Sequence, residues 1–233
     1  MTTIVGLKTS VGPEAIVLAA DYTATSISGN SGMNQMEFKK LYCSNNFAFM
    51  IAGGIKHQAF DFLNDLKVKN KKSDRFIDVK RGLELGFFPE VKYLNLDMGA
   101  DSDSVYDADN QLRFIFATRF NRKLGLHYVY PMGMVDEHQD YVCEGSGSEF
   151  IEDLLKQTYA PNSLEGTNID LEKAVKLADE CMNLARQDLF SGGRIIDFAI
   201  ITKKSIDYYG DSLREDLENF RKQKLDDIIC KYI

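Results

Sequence analysis

The segment AIVLAAD at positions 15–21 constrains the fold more than any other stretch of the chain. It is an unbroken apolar run of strand length, closed by an acid. A strand that tolerates no polar side chain on either face must be covered on both sides, so it belongs in the middle of a layered structure. Other segments read as strands around it: TTIVGLK at 2–8, KKLYC at 39–43, FAFMIAGG at 47–54, LRFIFATRF at 112–120 and LGLHYVYP at 124–131. DYVCE at 140–144, RIIDFAIITKK at 194–204 and SIDYYG at 205–210 complete the set. VGPE and SNN supply turns between the early strands.

Between these runs the apolar period changes. In IKHQAFDFLNDLK the apolar residues Ile55, Phe60, Phe62, Leu63 and Leu66 fit a helical face, and a weaker helical pattern runs from 78 to 94. MGADSDSVYDADN reads as a polar loop. SEFIEDLLKQTY is a helix that Ser148 can cap. LEKAVKLADECMNLARQDLF is another, with Asp170 as N-cap and a wide apolar stripe through Leu171, Ala174, Val175, Leu177, Ala178, Cys181, Met182 and Leu184. A charged helix over about 212–231 ends the chain. Strands and helices come in segregated runs, which favours α+β layering over a Rossmann alternation. The simplest architecture is two sheets face to face with helices outside each, a four-layer αββα sandwich. No repeat, linker or composition break divides residues 1–233, so a single domain is expected.

Composition excludes several functions. The formal charge of −7 argues against nucleic acid as a partner. The basic stretch KVKNKKSDR lacks interleaved aromatics and reads as a solvated loop. Cys43, Cys143, Cys181 and Cys230 form no CxxC pair, and His57, His127 and His138 are scattered, so neither a metal site nor a disulfide framework is expected. No apolar run approaches the roughly 20 residues that span a bilayer, and the first residues lack a signal-peptide pattern. A cytoplasmic protein without membrane contact is expected.

The chain start carries chemistry of its own. Removal of Met1 would leave Thr2 with a free α-amine and a β-hydroxyl on one residue. Such an amine has a pKa of about 8, so it can serve as general base for its own hydroxyl. Two β-branched residues opening a strand are the plainer explanation of the same pattern. Three further features accompany it: Asp21 closing AIVLAAD; FKKLY followed by FMIAGG; and the pair GSGS at 145–148 and DLFSGG at 188–193.

Together these segments resemble the β-type subunits of the 20S proteasome and, more broadly, the N-terminal-nucleophile hydrolases, which include threonine peptidases. The resemblance runs from about Thr2 to Gly210, with the family's motifs in order. It implies the αββα fold of those hydrolases and a threonine-type endopeptidase acting through an acyl-ester on Thr2. Asp21 and Lys40 match the acid and lysine beside the nucleophile. Ser146, Asp188 and Ser191 match residues that position the amine, and the N–H of Gly53 matches the oxyanion donor. Ala24, Thr25, Phe38, Ile51 and Ile55 match the substrate pocket. Strand neighbours point to opposite faces, so Lys40 and not Lys39 is expected at the site. No cofactor or metal is implied.

The implied substrate is a peptide or unfolded protein. The implied assembly is a homo- or hetero-oligomeric ring, possible α-type partners included. A non-catalytic ring subunit and a specific amidase or transpeptidase are the alternatives. The chain departs from the family pattern at Thr23, where an arginine is usual, and in its longer first hairpin. No propeptide is expected before Thr2. The penultimate Tyr232 follows Lys231 where ring-docking tails carry a hydrophobic residue.

Overall fold

The structure is a computed structural model, and it describes residues 3–28, 32–44, 47–53, 113–120, 122–130, 135–160, 168–188, 196–210, 226–227 and 229–232. The helices expected over 55–67 and 78–94, the loops at 67–75 and 98–110, and most of the helix expected over 212–231 lie outside these residues. Residues 226–227 and 229–232 are helical.

The first sheet is built on the segment that the apolar run singled out. Strand β2 (Ala15–Asp21) is buried along its whole length. It lies between β1 (Thr3–Lys8) and β11 (Ile196–Thr202), antiparallel to both. With β10 (Tyr141–Gly145) and β12 (Ile206–Tyr209) at the edges, the order is β10-β1-β2-β11-β12. The second sheet runs in chain order through β5 (Leu41–Cys43), β6 (Phe47–Ala52), β7 (Arg113–Phe120), β8 (Lys123–Val129) and β9 (Val135–His138).

Alternation along the strands divides the core into two slabs. On one face of the first sheet, Val5, Leu7, Val17, Ala19, Phe198 and Ile200 meet helices α1 (Ser148–Thr158) and α2 (Leu171–Ala185). The apolar stripe of α2 contributes Ala174, Val175, Ala178, Cys181 and Met182 to that slab. On the other face, Ile4, Ile16, Leu18, Ala20, Ala199 and Ile201 pack against Leu41, Ala48, Met50, Ala52, Ile115, Ala117 and Leu126 of the second sheet. Many of these residues are small, which lets the sheets approach. Gly6 takes this furthest: a Cβ there would stand 2.8 Å from Leu126 Cδ1 and 3.2 Å from both Ile115 Cγ2 and Leu18 Cδ2. The outward face of the second sheet is apolar and buried too, through Phe49, Phe114 and Phe116. Two antiparallel sheets packed together with helices make the chain α+β, consistent with the expected sandwich.

Some local expectations need correcting. Ser148 does not cap α1. The N-cap is Gly147, which makes no side-chain cap, and the Ser148 hydroxyl donates to Gly145 O at 2.7 Å instead. Asp170 does cap α2, accepting from the Lys173 N–H at 2.8 Å. Three strands were not expected from the sequence: β3 (Thr23–Ser28), β4 (Gly32–Glu37) and β9. TATSIS, GMNQME and VDEH lack the apolar alternation that marks a half-buried strand, so pairing alone reveals them. β3 and β4 form a separate antiparallel two-stranded sheet.

Candidate active site

The β3–β4 hairpin positions the candidate site. It leaves the end of β2 and returns the chain to the start of β5, and the Phe38 N–H closes its base on Tyr22 O at 2.9 Å. Asp21 and Lys40, nineteen positions apart, are thereby brought side by side. The Lys40 ammonium donates to Asp21 Oδ1 at 2.7 Å. Both side chains are sealed from solvent, at 0% and 1% exposure.

The same Oδ1 accepts the backbone N–H of Thr3 at 2.9 Å. That N–H belongs to the peptide bond joining Thr2 to Thr3. One carboxylate oxygen therefore links the lysine to the strand immediately after Thr2. Lys39 goes elsewhere: its ammonium lies 3.9 Å above the ring centre of Tyr208. Burial pushes Lys40 below its ordinary value of 10.5, against the opposing pull of Asp21's charge, of the hydrogen bond to it, and of Asp197. An amine held in that balance gives up a proton more readily than a surface lysine.

Asp197 was not singled out in the sequence. It is a buried acid on β11, in register with Ala20 beside Asp21, and it accepts from the Tyr208 hydroxyl at 3.0 Å. The available signal was a lone charge inside the apolar strand RIIDFAIIT. After burial and Tyr22, Asp197 also contributes to pushing the Tyr42 phenol up to about 12.

The other expected residues fall as follows. Lys40, the residue before β5, lies beside Ile51 of β6, with the Ile51 N–H donating to Lys40 O at 3.2 Å. Ile51 is buried and Phe38 half-buried. Gly53, just past the end of β6, has φ of 98°, a left-handed conformation that glycine adopts without strain. Ala24 and Thr25 sit on β3, opposite Met36 and Gln35. Ser146 lies in the turn between β10 and α1, and its hydroxyl oxygen is buried with no hydrogen-bond partner among the described residues. Asp188 follows α2, half-buried, with its N–H on Ala185 O at 3.1 Å. Thr2, Ile55 and Ser191 lie outside the described residues. Among the described residues, no group of three or more His, Cys, Asp or Glu could hold a metal ion, and no helix is long and apolar enough to cross a membrane.

Two packed antiparallel sheets with helices, and a lysine–aspartate pair sealed beside the start of β1, define the class as α+β, consistent with the sandwich of the N-terminal-nucleophile hydrolases. A family profile described as "Proteasome subunit" matches residues 110–201. The chain is also similar to "Proteasome subunit beta" of Nanoarchaeum equitans (strain Kin4-M). That relative is 28% identical over 214 residues, which cover 89% of this chain and 96% of its own length. Fold, profile and relative together support a proteasome β-type subunit.

Proposed function

We propose that the chain is a threonine-type endopeptidase working as a cytoplasmic subunit of a proteasome-like ring, with residues 1–233 as one domain. The observation that carries this reading is the shared oxygen of Asp21, which holds both the Lys40 ammonium and the N–H of the residue after Thr2. A buried cation at that place stabilises an alkoxide forming on Thr2. Asp21 keeps the cation oriented.

The chemistry is acyl transfer. Thr2 Oγ attacks the scissile carbonyl and its proton passes to the free α-amine of Thr2, directly or through a water. The oxyanion takes the N–H of Gly53, the residue that follows β6. The C–N bond breaks as the leaving amine takes the proton, leaving an ester on Thr2. Water then attacks the ester and gives a proton to the amine, which passes it to Thr2 Oγ as the ester C–O bond breaks and the acid leaves. Ser146, Asp188 and Ser191 orient the amine. Ala24, Thr25, Phe38, Ile51 and Ile55 supply an apolar pocket for a peptide or unfolded-protein side chain. The buried Ile51 fits the floor of such a pocket rather than its rim.

The test is peptide turnover by the purified assembly, with mass spectrometry after exposure to a peptide epoxyketone. The parent chain should carry one adduct on Thr2, and Thr2→Ala should neither turn over peptide nor be labelled. Full activity in Thr2→Ala would refute the assignment. An unlabelled parent retaining Met1 would favour a structural ring subunit, and a single ligated product from mixed peptides a transpeptidase.

A further inference from the structure

A second polar cluster joins the two sheets beside the Gly145–Ser146 turn. Glu144 is the last side-chain-bearing residue of β10, paired with Ile4, while Gly145 pairs with Thr3. Its carboxylate reaches across to the second sheet. Oε1 accepts from Arg113 Nη1 at 2.6 Å, and Oε2 accepts from the Tyr128 hydroxyl at 2.5 Å. Arg113 opens β7 opposite Ala52, the residue before Gly53. The ion pair is largely enclosed, with side-chain exposures of 21% for Arg113 and 17% for Glu144. Burial, and then the charge of Glu144, push the Tyr128 phenol upward, so it stays a donor.

Glu144 Oε1 also accepts the N–H of Gly145 at 2.9 Å, and the carbonyl of the same Gly145 accepts from Ser148 Oγ at 2.7 Å. Both peptide groups flanking Gly145 are therefore clamped, on a residue at φ 107°. The next residue is Ser146, whose buried hydroxyl oxygen has no hydrogen-bond partner among the described residues. The clamped Gly145 peptides fix where the backbone that carries this hydroxyl stands.

We propose that Glu144, braced by Arg113 and Tyr128, is a positioning residue that aims the Ser146 hydroxyl at the nucleophile's amine. This rests on the threonine-peptidase reading. Arg113 sits one ladder step from Gly53 and Glu144 one residue from Ser146, so the ion pair also sets the spacing between the oxyanion donor on one sheet and the amine-positioning turn on the other.

The experiment compares the parent, Glu144→Gln, Tyr128→Phe, Ser146→Ala and Glu144→Gln/Ser146→Ala as full chains in the assembled particle. It records kcat and KM across pH, the epoxyketone labelling rate and the melting temperature. Glu144→Gln should lower kcat and labelling on the order of 10- to 100-fold with KM nearly unchanged, because misorientation near the reacting atoms costs that much. It should also move the acidic limb of the kcat profile, and Tyr128→Phe should do so more weakly. In the Ser146→Ala background, Glu144→Gln should have little further effect on kcat, since the two act as one unit. If Glu144→Gln lowers only the melting temperature and leaves the acidic limb in place, or if its effect on kcat is additive with Ser146→Ala, the positioning role is refuted while the peptidase reading stands. A parent that is never labelled at residue 2 would overturn that reading, and this inference with it.

Discussion

Asp21→Ala removes a carboxylate that two groups share. Lys40 loses its 2.7 Å ion-pair partner and the Thr3 N–H its 2.9 Å acceptor, both in the sealed interior. Deleting one member of a buried ion pair costs ~3–5 kcal/mol, and orphaning a buried N–H adds ~1–3 kcal/mol. Lys40 can relieve part of this by releasing its proton, so the net loss should be about 4 kcal/mol. Lys40→Met alone should also destabilise, because it leaves the Asp21 carboxylate without its cation. Added to Asp21→Ala, however, Lys40→Met should restore stability, since methionine fills the stem's space with no charge to bury.

That reversal of sign is the core of the prediction, and the coupling should reach about 3 kcal/mol. Urea unfolding of the parent, both single variants and the double variant at neutral pH measures it. A loss below about 1 kcal/mol in Asp21→Ala, or additivity of the two changes, would refute the reasoning from a buried pair. The pH dependence gives an independent arm. Burial puts the folded pKa of Lys40 below its free value of 10.5. Between the two values the unfolded chain binds more protons than the folded one, so this group makes stability rise with pH through that window. The burden of the buried ammonium is fully present below the folded value and gone above 10.5. Lys40→Met should flatten that part of the stability curve.

Two further outcomes follow from packing and burial. Gly6→Val should destabilise by about 1–3 kcal/mol through overpacking, measured by the same unfolding assay, because its Cβ would meet Leu126, Ile115 and Leu18 between the sheets. Alkylation of the native chain at pH 8 should modify the exposed Cys230 well before Cys143 or Cys181. Burial pushes the Cys143 thiol up to about 12 and raises Cys181 as well, and peptide mass spectrometry reads the order of labelling.

Periodicity made the main strands legible because each carries its burial in its own residues. AIVLAAD is buried at every position, and FAFMIA likewise. The stripe of α2 and its Asp170 cap were readable for the same reason, since a helix's apolar face and first turn are local properties. Ser148 failed as a cap because the choice between a hydroxyl capping its own helix and reaching back to Gly145 O depends on how the strand enters the turn. The motifs pointed to Asp21 and Lys40 as a pair, but only through resemblance.

What residues alone determined was the kind of layer each segment joins: apolar runs specify buried strands, and amphipathic stripes specify covering helices. Which side chains meet was settled only in three dimensions. The polar hairpin β3–β4, silent in pattern, carries Lys40 back to Asp21. Glu144 and Asp197, each a single acid in an otherwise ordinary strand, acquire partners on other strands, Glu144 from Arg113 of the second sheet and Asp197 from Tyr208 of the neighbouring strand. The reason is physical. Burial of apolar surface is non-directional and is written residue by residue, whereas a hydrogen bond or ion pair requires two particular atoms within about 3 Å, and only the packed sheets bring them that close.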